Sequence, residues 1–175
     1  MIRKIISAAA ALFLIISVSL SAQDKRVSPP AKCEFKSGKI DVAVNYAQPS
    51  VKGRKIWGDL VPYGKVWRTG ANEATTFETK SDILIGGKEL KAGKYSLFTI
   101  PGEKEWTLIL NSVAEQWGAY NYEESKDVLR LALTPETSKE FNEKLLITAD
   151  AKDGGAVLSI SWENLTVSTK ISSVK

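Results

Sequence analysis

"GAVLSISWEN", residues 155–164, alternates strictly: Ala156, Leu158, Ile160 and Trp162 share one face, and Val157, Ser159, Ser161 and Glu163 share the other. A period of two marks a β-strand, whose successive side chains point to opposite faces of its sheet. Two serines and a glutamate on the second face mean that only the first is core. The pattern recurs along the chain. Ile40, Val42, Val44 and Tyr46 oppose Asp41, Ala43 and Asn45; Trp106, Leu108 and Leu110 fall together in "EWTLILN", Leu129, Leu131 and Leu133 in "DVLRLAL", and Leu165, Val167 and Ile171 in "LTVSTKI". "EKLLITA" fits less cleanly, because Leu145, Leu146 and Ile147 are consecutive.

Turn signals separate these runs: Gly86-Gly87, Pro101-Gly102 and Asp153-Gly154-Gly155, each suited to a hairpin. "ETSKEFNEK", residues 136–144, is the best candidate for a short helical turn. About nine or ten strands joined by tight turns make the chain all-β, a single antiparallel, jelly-roll-like β-sandwich, with a closed barrel as second choice.

The N-terminus has its own character. Arg3 and Lys4 precede an apolar and small run from Ile5 to Leu20, closed by Ser21-Ala22. This is the pattern of a helical signal peptide over residues 1–22, too short in its apolar run for a membrane span. Residues 23–38, polar and Pro-containing, read as a flexible lead-in that turns into an edge strand near Cys33 to Phe35, and residues 39–172 as the sandwich. The expected location is therefore the periplasm or the exterior, with no membrane attachment after cleavage.

The chain carries 24 basic and 20 acidic side chains; the leader holds two basic ones and no acid, which leaves a mature balance of +2. That excess is too small to imply nucleic acid as a partner. One cysteine excludes an internal disulfide, so the apolar core alone must hold the domain. Cys33 has no histidine to activate it, which favours an inert thiol over a nucleophile.

Two stretches resist alternation: Gln48 to Ala74, and Ser112 to Ser125. Long connections without regular structure tend to be functional or disordered. Trp57, Tyr63, Trp67, Trp117, Tyr120 and Tyr122 make disorder untenable here. Three blocks, "YAQPSVKGRKIWGDLVPYGKVWRTGANEATTFE" (46–78), "GGKELKAGKYSLFTIPGEKEWTLILN" (86–111) and "QWGAYNYEESKDVLRL" (116–131), resemble the domain of unknown function 2911 family in order and spacing. The resemblance implies an exported bacterial protein and carries over no catalytic residue.

Chemistry is narrowed by absence. With no histidine in the chain, a Ser-His-Asp triad, a Cys-His dyad and a His-ligated metal site are excluded. There is no phosphate-binding glycine loop, and no cofactor is expected. Carboxylate-dependent hydrolysis stays open, with Glu73 beside Glu115, Glu123 or Asp127, although no spacing selects a pair. The candidate ligand-binding set is Arg68, Asn72, Glu73, Trp67, Trp57, Trp117, Tyr120 and Arg54: aromatic faces to stack, planar donors and acceptors to bond hydroxyls or carboxylates. It points to non-catalytic binding of a glycan, a small polar ligand or an envelope partner at the loop end of the sandwich, rather than to an enzyme. The third reading is a structural or assembly module of the envelope.

Each candidate also has a structural role open to it. Arg68 and Glu73 can form an ion pair that ties the long connection down, with Asn72 capping a turn and Gly70 supplying a positive φ. Trp57, Trp67 and Trp117 can form a secondary core under the loops, Trp106 and Trp162 belong to the main core, and Arg54 suits a solvated loop.

Overall fold

A computed structural model describes residues 26–174. The signal-peptide reading, and the first three residues of the lead-in, lie outside the described residues. Ten strands account for the fold: β1 (Pro30–Ser37), β2 (Ile40–Ala47), β3 (Thr75–Thr79), β4 (Ile83–Ile85), β5 (Lys88–Leu90), β6 (Gly93–Ile100), β7 (Trp106–Asn111), β8 (Asp127–Leu133), β9 (Glu136–Lys152) and β10 (Gly155–Ser173). All pairings are antiparallel, in two sheets ordered β1-β2-β3-β6-β7-β8 and β5-β4-β10-β9. The sandwich is as expected, and its strand order refines the jelly-roll-like expectation: both strands of each hairpin stay in one sheet. β1 lies beside β9, and β5 beside β8, without pairing, so the layers face each other and the barrel stays open.

Alternation sets the core. Ile40, Val42, Val44 and Tyr46 from β2 and Ala156, Leu158, Ile160 and Trp162 from β10 are all buried in one cluster. Further along β10 the buried residues are Val167, Thr169 and Ile171, so the parity changes from even to odd. The cause is local. Register shifts against β9 flank Glu163, which has φ 54°, and an irregularity there turns the following side chains over. The Gly86-Gly87 turn between β4 and β5 has φ of 54° and 80°, the two positive angles that a tight hairpin of this kind requires.

Two local expectations are corrected. "ETSKEFNEK" is the first half of β9, paired with β10 through Thr137–Leu165 and Asn142–Glu163. Pairing along a long ribbon overrides its helix-favouring composition. The consecutive apolar run also resolves as a strand: Leu145 and Ile147 are buried and Leu146 is exposed. The fold also begins earlier than Lys39. β1 pairs residue for residue with β2 from Pro30–Ala47 to Ser37–Ile40, and Ala31, Cys33 and Phe35 face the core between Lys32, Glu34 and Lys36. Burial pushes the half-buried Cys33 thiol up, with Asp150 and Glu34 adding to it, which holds the sulfur in its protonated, unreactive form.

The two layers are also clasped by hydrogen bonds. The buried Tyr46 hydroxyl accepts the Ile147 N–H at 3.1 Å, and Gln48 Nε2 donates to the Leu145 carbonyl at 2.9 Å. Tyr46→Phe leaves the Ile147 N–H without this partner at a buried position. The expected loss is about 1–3 kcal/mol, read as a lower urea midpoint at unchanged slope.

Candidate functional site

The 48–74 connection is irregular but tightly held. It first extends the edge of β9, where Val51 N donates to Glu143 O at 2.8 Å and Leu145 N to Pro49 O at 3.0 Å. It then turns inward, burying Ile56, Trp57 and Val61. Finally it runs beside the end of β6, where Trp67 and Thr99 exchange both backbone hydrogen bonds at 2.8 and 2.9 Å. The connection therefore crosses from one sheet to the other and caps this end of the sandwich.

Its two tryptophans enter the main core. Trp57 meets Trp106 at 4.8 Å between ring centroids, and Trp67 stacks on Trp162 at 5.7 Å and 16°. The other contacts among these four rings are edge-on, as the ring quadrupoles favour. Trp67 Nε1 donates to Gly70 O at 3.2 Å, while the buried Nε1 atoms of Trp57, Trp106 and Trp162 have no protein partner.

Above Trp67 and Trp162 lies a cavity of about 350 Å³, with Lys52, Arg54 and Arg68 in its lining. Arg54 is fixed there by donating Nε to Val51 O at 3.1 Å and Nη2 to Ser50 O. Arg68 makes no salt bridge among the described residues, and its buried Nε has no partner. Nη1 of Arg68 reaches within 3.8 Å of the point where a Gly118 Cβ would stand. The turn that carries Arg68 is rigid. Thr69 is fully buried, its hydroxyl 3.1 Å from that of Thr99, and its carbonyl accepts the Thr75 hydroxyl at 2.8 Å. The left-handed residues are Thr69 (φ 51°) and Asn72 (φ 61°) rather than Gly70, contrary to the sequence expectation. Gly70 is needed for space: a Cβ there would come within 3.0 Å of Thr75 Oγ1 and 3.1 Å of the Ala47 carbonyl.

Asn72 and Glu73 do not line the cavity, and Arg68 does not pair with Glu73. Asn72 Nδ2 donates to Ser28 O at 3.3 Å, and Glu73 is bonded by Arg26 at 2.8 Å. Both hold the N-terminal strap, which Gln48 N also grips by donating to Pro29 O at 2.9 Å. Val27 and Ser28 of that strap form a wall of the cavity. The hydrogen bond from Arg26 holds the Glu73 carboxyl below the usual carboxylate range.

The second irregular stretch joins the first. Ala74 N donates to Gln116 O at 3.0 Å and Gly118 N to Asn72 O at 3.2 Å. Trp117 and Tyr120 on this stretch are 58% and 82% exposed and lie outside the cavity lining, so Trp117 does not join the expected secondary core. Tyr122 anchors it: the phenol donates to Asp127 Oδ2 at 2.6 Å, Arg130 Nη1 donates to the same oxygen at 2.7 Å, and Asn111 Nδ2 to Oδ1 at 2.8 Å. Burial and the Asp127 hydrogen bond push the Tyr122 phenol up to about 12.

Of the eight candidates, the structure thus brings Arg54, Trp67 and Arg68 to the cavity, sets Trp57 within the ring cluster that also holds Trp67 and Trp162, assigns Asn72 and Glu73 to the strap, and leaves Trp117 and Tyr120 outside. Trp162, which the sequence reading places in the core, Val27–Ser28, which it places in the lead-in, and Lys52 are further lining residues. Of the four acids considered for hydrolysis, three are engaged elsewhere, Glu73 by Arg26, Glu115 by Lys94 at 2.6 Å and Asp127 by Arg130, and Glu123 lies outside the cavity lining. No acid lines the cavity. Among the described residues, no group of three or more His, Cys, Asp or Glu side chains is placed to hold a metal ion.

The chain belongs to the family described as "Protein of unknown function (DUF2911)", whose model matches residues 28–171. That span contains every lining residue of the cavity except Val27. No curated protein and no solved structure matches the chain.

Two predictions test these anchors. Because the Tyr122 pKa is raised in the folded state, its contribution is fully present below about pH 10, the free-tyrosine value, and is lost as pH rises through about 12. Denaturation midpoints of the wild type should therefore fall more steeply over that interval than those of Tyr122→Phe. Glu73→Ala should lower stability by no more than about 1 kcal/mol, as for exposed pairs, while the Gln48 amide, bonded to the strap, exchanges hydrogen faster.

Proposed function

We propose that this is an exported, non-catalytic binding protein that takes a small polar ligand of saccharide size in the cavity at the loop end. One observation carries the reading: a cavity lined by Trp67 and by Lys52, Arg54 and Arg68, with no acid among its lining residues. Its volume of about 350 Å³ lies at the lower end of the range for small-molecule sites, roughly 300–1,000 Å³. Indole faces bury the apolar face of a ring, and a guanidinium orients its polar groups. The N-terminal pattern of Arg3-Lys4, apolar run and Ser21-Ala22 supports export, and no helix among the described residues is long and apolar enough to cross a membrane. Glycoside hydrolysis by a carboxylate pair, the competing reading, needs two acids facing each other across a cleft, and the acid-free lining supports binding over it.

The test is tryptophan emission, titrated with a panel of mono- and disaccharides and small sugar acids. At least one member should shift the emission of the wild type. Ala71→Trp, which fills the cavity, and Arg68→Ala should both abolish that shift. Arg68→Ala should keep its melting temperature within about 2 °C, as expected for a substitution that breaks no paired group. Unfolding of Arg68→Ala, or a shift that survives Ala71→Trp, overturns the reading.

A further inference from the structure

The cavity has a sign. Lys52, Arg54 and Arg68 line it and no Asp or Glu does, in a chain whose mature charge is nearly balanced. Glu143 receives the Lys52 backbone N–H at 3.0 Å and is not part of the lining, and Glu73 is turned to Arg26 on the strap. Resting on the binding reading above, we propose that the ligand is an organic carboxylate on a ring-sized body, of the uronic-acid type, and that Arg68 binds the carboxylate while Trp67 receives the ring.

Three features carry this. Arg68 lines the cavity and makes no salt bridge among the described residues. A guanidinium presents paired N–H donors in one plane, a fork that matches the two oxygens of a carboxylate. The Arg54 guanidinium is pinned by Val51 O and Ser50 O, so a second positive charge is fixed at the lining before any ligand arrives. The rest of the wall is largely apolar, with Leu60, Val61 and Ala71 beside the two indoles. Such a wall suits a body with an apolar face better than a bare inorganic anion, which would leave those surfaces uncovered.

The experiment compares glucuronate, glucose, glucose 6-phosphate and inorganic phosphate by calorimetry on the full mature chain, with tryptophan emission as the report from the cavity. Glucuronate should bind about 10- to 100-fold tighter than glucose, the range expected for a hydrogen-bonded charge. It should lose that margin in Arg68→Gln and weaken with salt, and Lys52→Gln should weaken it by a smaller factor. If glucose binds as well as glucuronate, and Arg68→Gln leaves both unchanged, the carboxylate proposal fails while the saccharide reading survives. If glucose 6-phosphate or phosphate binds tighter than glucuronate, the site is an anion site of another kind and the carboxylate assignment is overturned. If no member of the set alters tryptophan emission, the carboxylate proposal falls, and the binding reading stands or falls with the wider saccharide panel.

Discussion

Four indole rings meet where the two sheets and the crossover converge, and that contact is the constraint on which the rest of the molecule depends. Trp106 begins β7 in one sheet, Trp162 lies on β10 in the other, and Trp57 and Trp67 come from the irregular connection. Each buried aromatic removes roughly 150–250 Å² from water, and well-oriented ring pairs add about 0.5–1.5 kcal/mol each. The connection thereby gains the burial of a sheet without its periodicity. Ring packing dominates here: three of the four indole N–H groups, those of Trp57, Trp106 and Trp162, are buried without a protein partner. Density and orientation of large rings are what the cluster optimises.

The strands were legible because one face of each sheet meets core and the other meets water, which imposes a period of two on composition. Where that condition weakens, so does the reading. The first half of β9 carries few buried side chains, and nothing in "ETSKEFNEK" records the β10 partner that extends it into a strand. β1 is an edge strand with small inward residues, Ala31 and Cys33, before Phe35, so its alternation is present but nearly silent. The parity change along β10 depends on one residue, Glu163, whose left-handed φ no local composition announces.

The candidate site was legible by content and illegible by direction. Aromatic and planar polar residues concentrated in "VWRTGANE" mark a candidate stretch, and Trp67 and Arg68 do reach the cavity. Asn72 and Glu73 follow within five residues of Arg68 yet serve the strap, because the left-handed residues Thr69 and Asn72 reverse the chain between them. Alternation assigns Trp162 correctly to the core face, where it is buried, and its place in the lining follows from the crossover that packs against it. Lys52 and Val27–Ser28 reach the lining through tertiary placement alone, so no residue pattern signals them.

The reversal at residues 69–72 has an electrostatic consequence that ties fold to site. An Arg and a Glu five residues apart on a tight turn ordinarily neutralise each other, and a paired Arg68 would present little field to the cavity. Here Glu73 is taken by Arg26 from the strap, and its carboxyl is held well ionised there. Arg68 is left as an uncompensated charge with a buried, unused donor. The strap thus acts twice, as a wall through Val27 and Ser28 and, through Arg26, as the partner of the acid nearest Arg68 in sequence. Placing two neighbouring charges on opposite sides of a turn is how Lys52, Arg54 and Arg68 come to line a cavity with no acid in its wall.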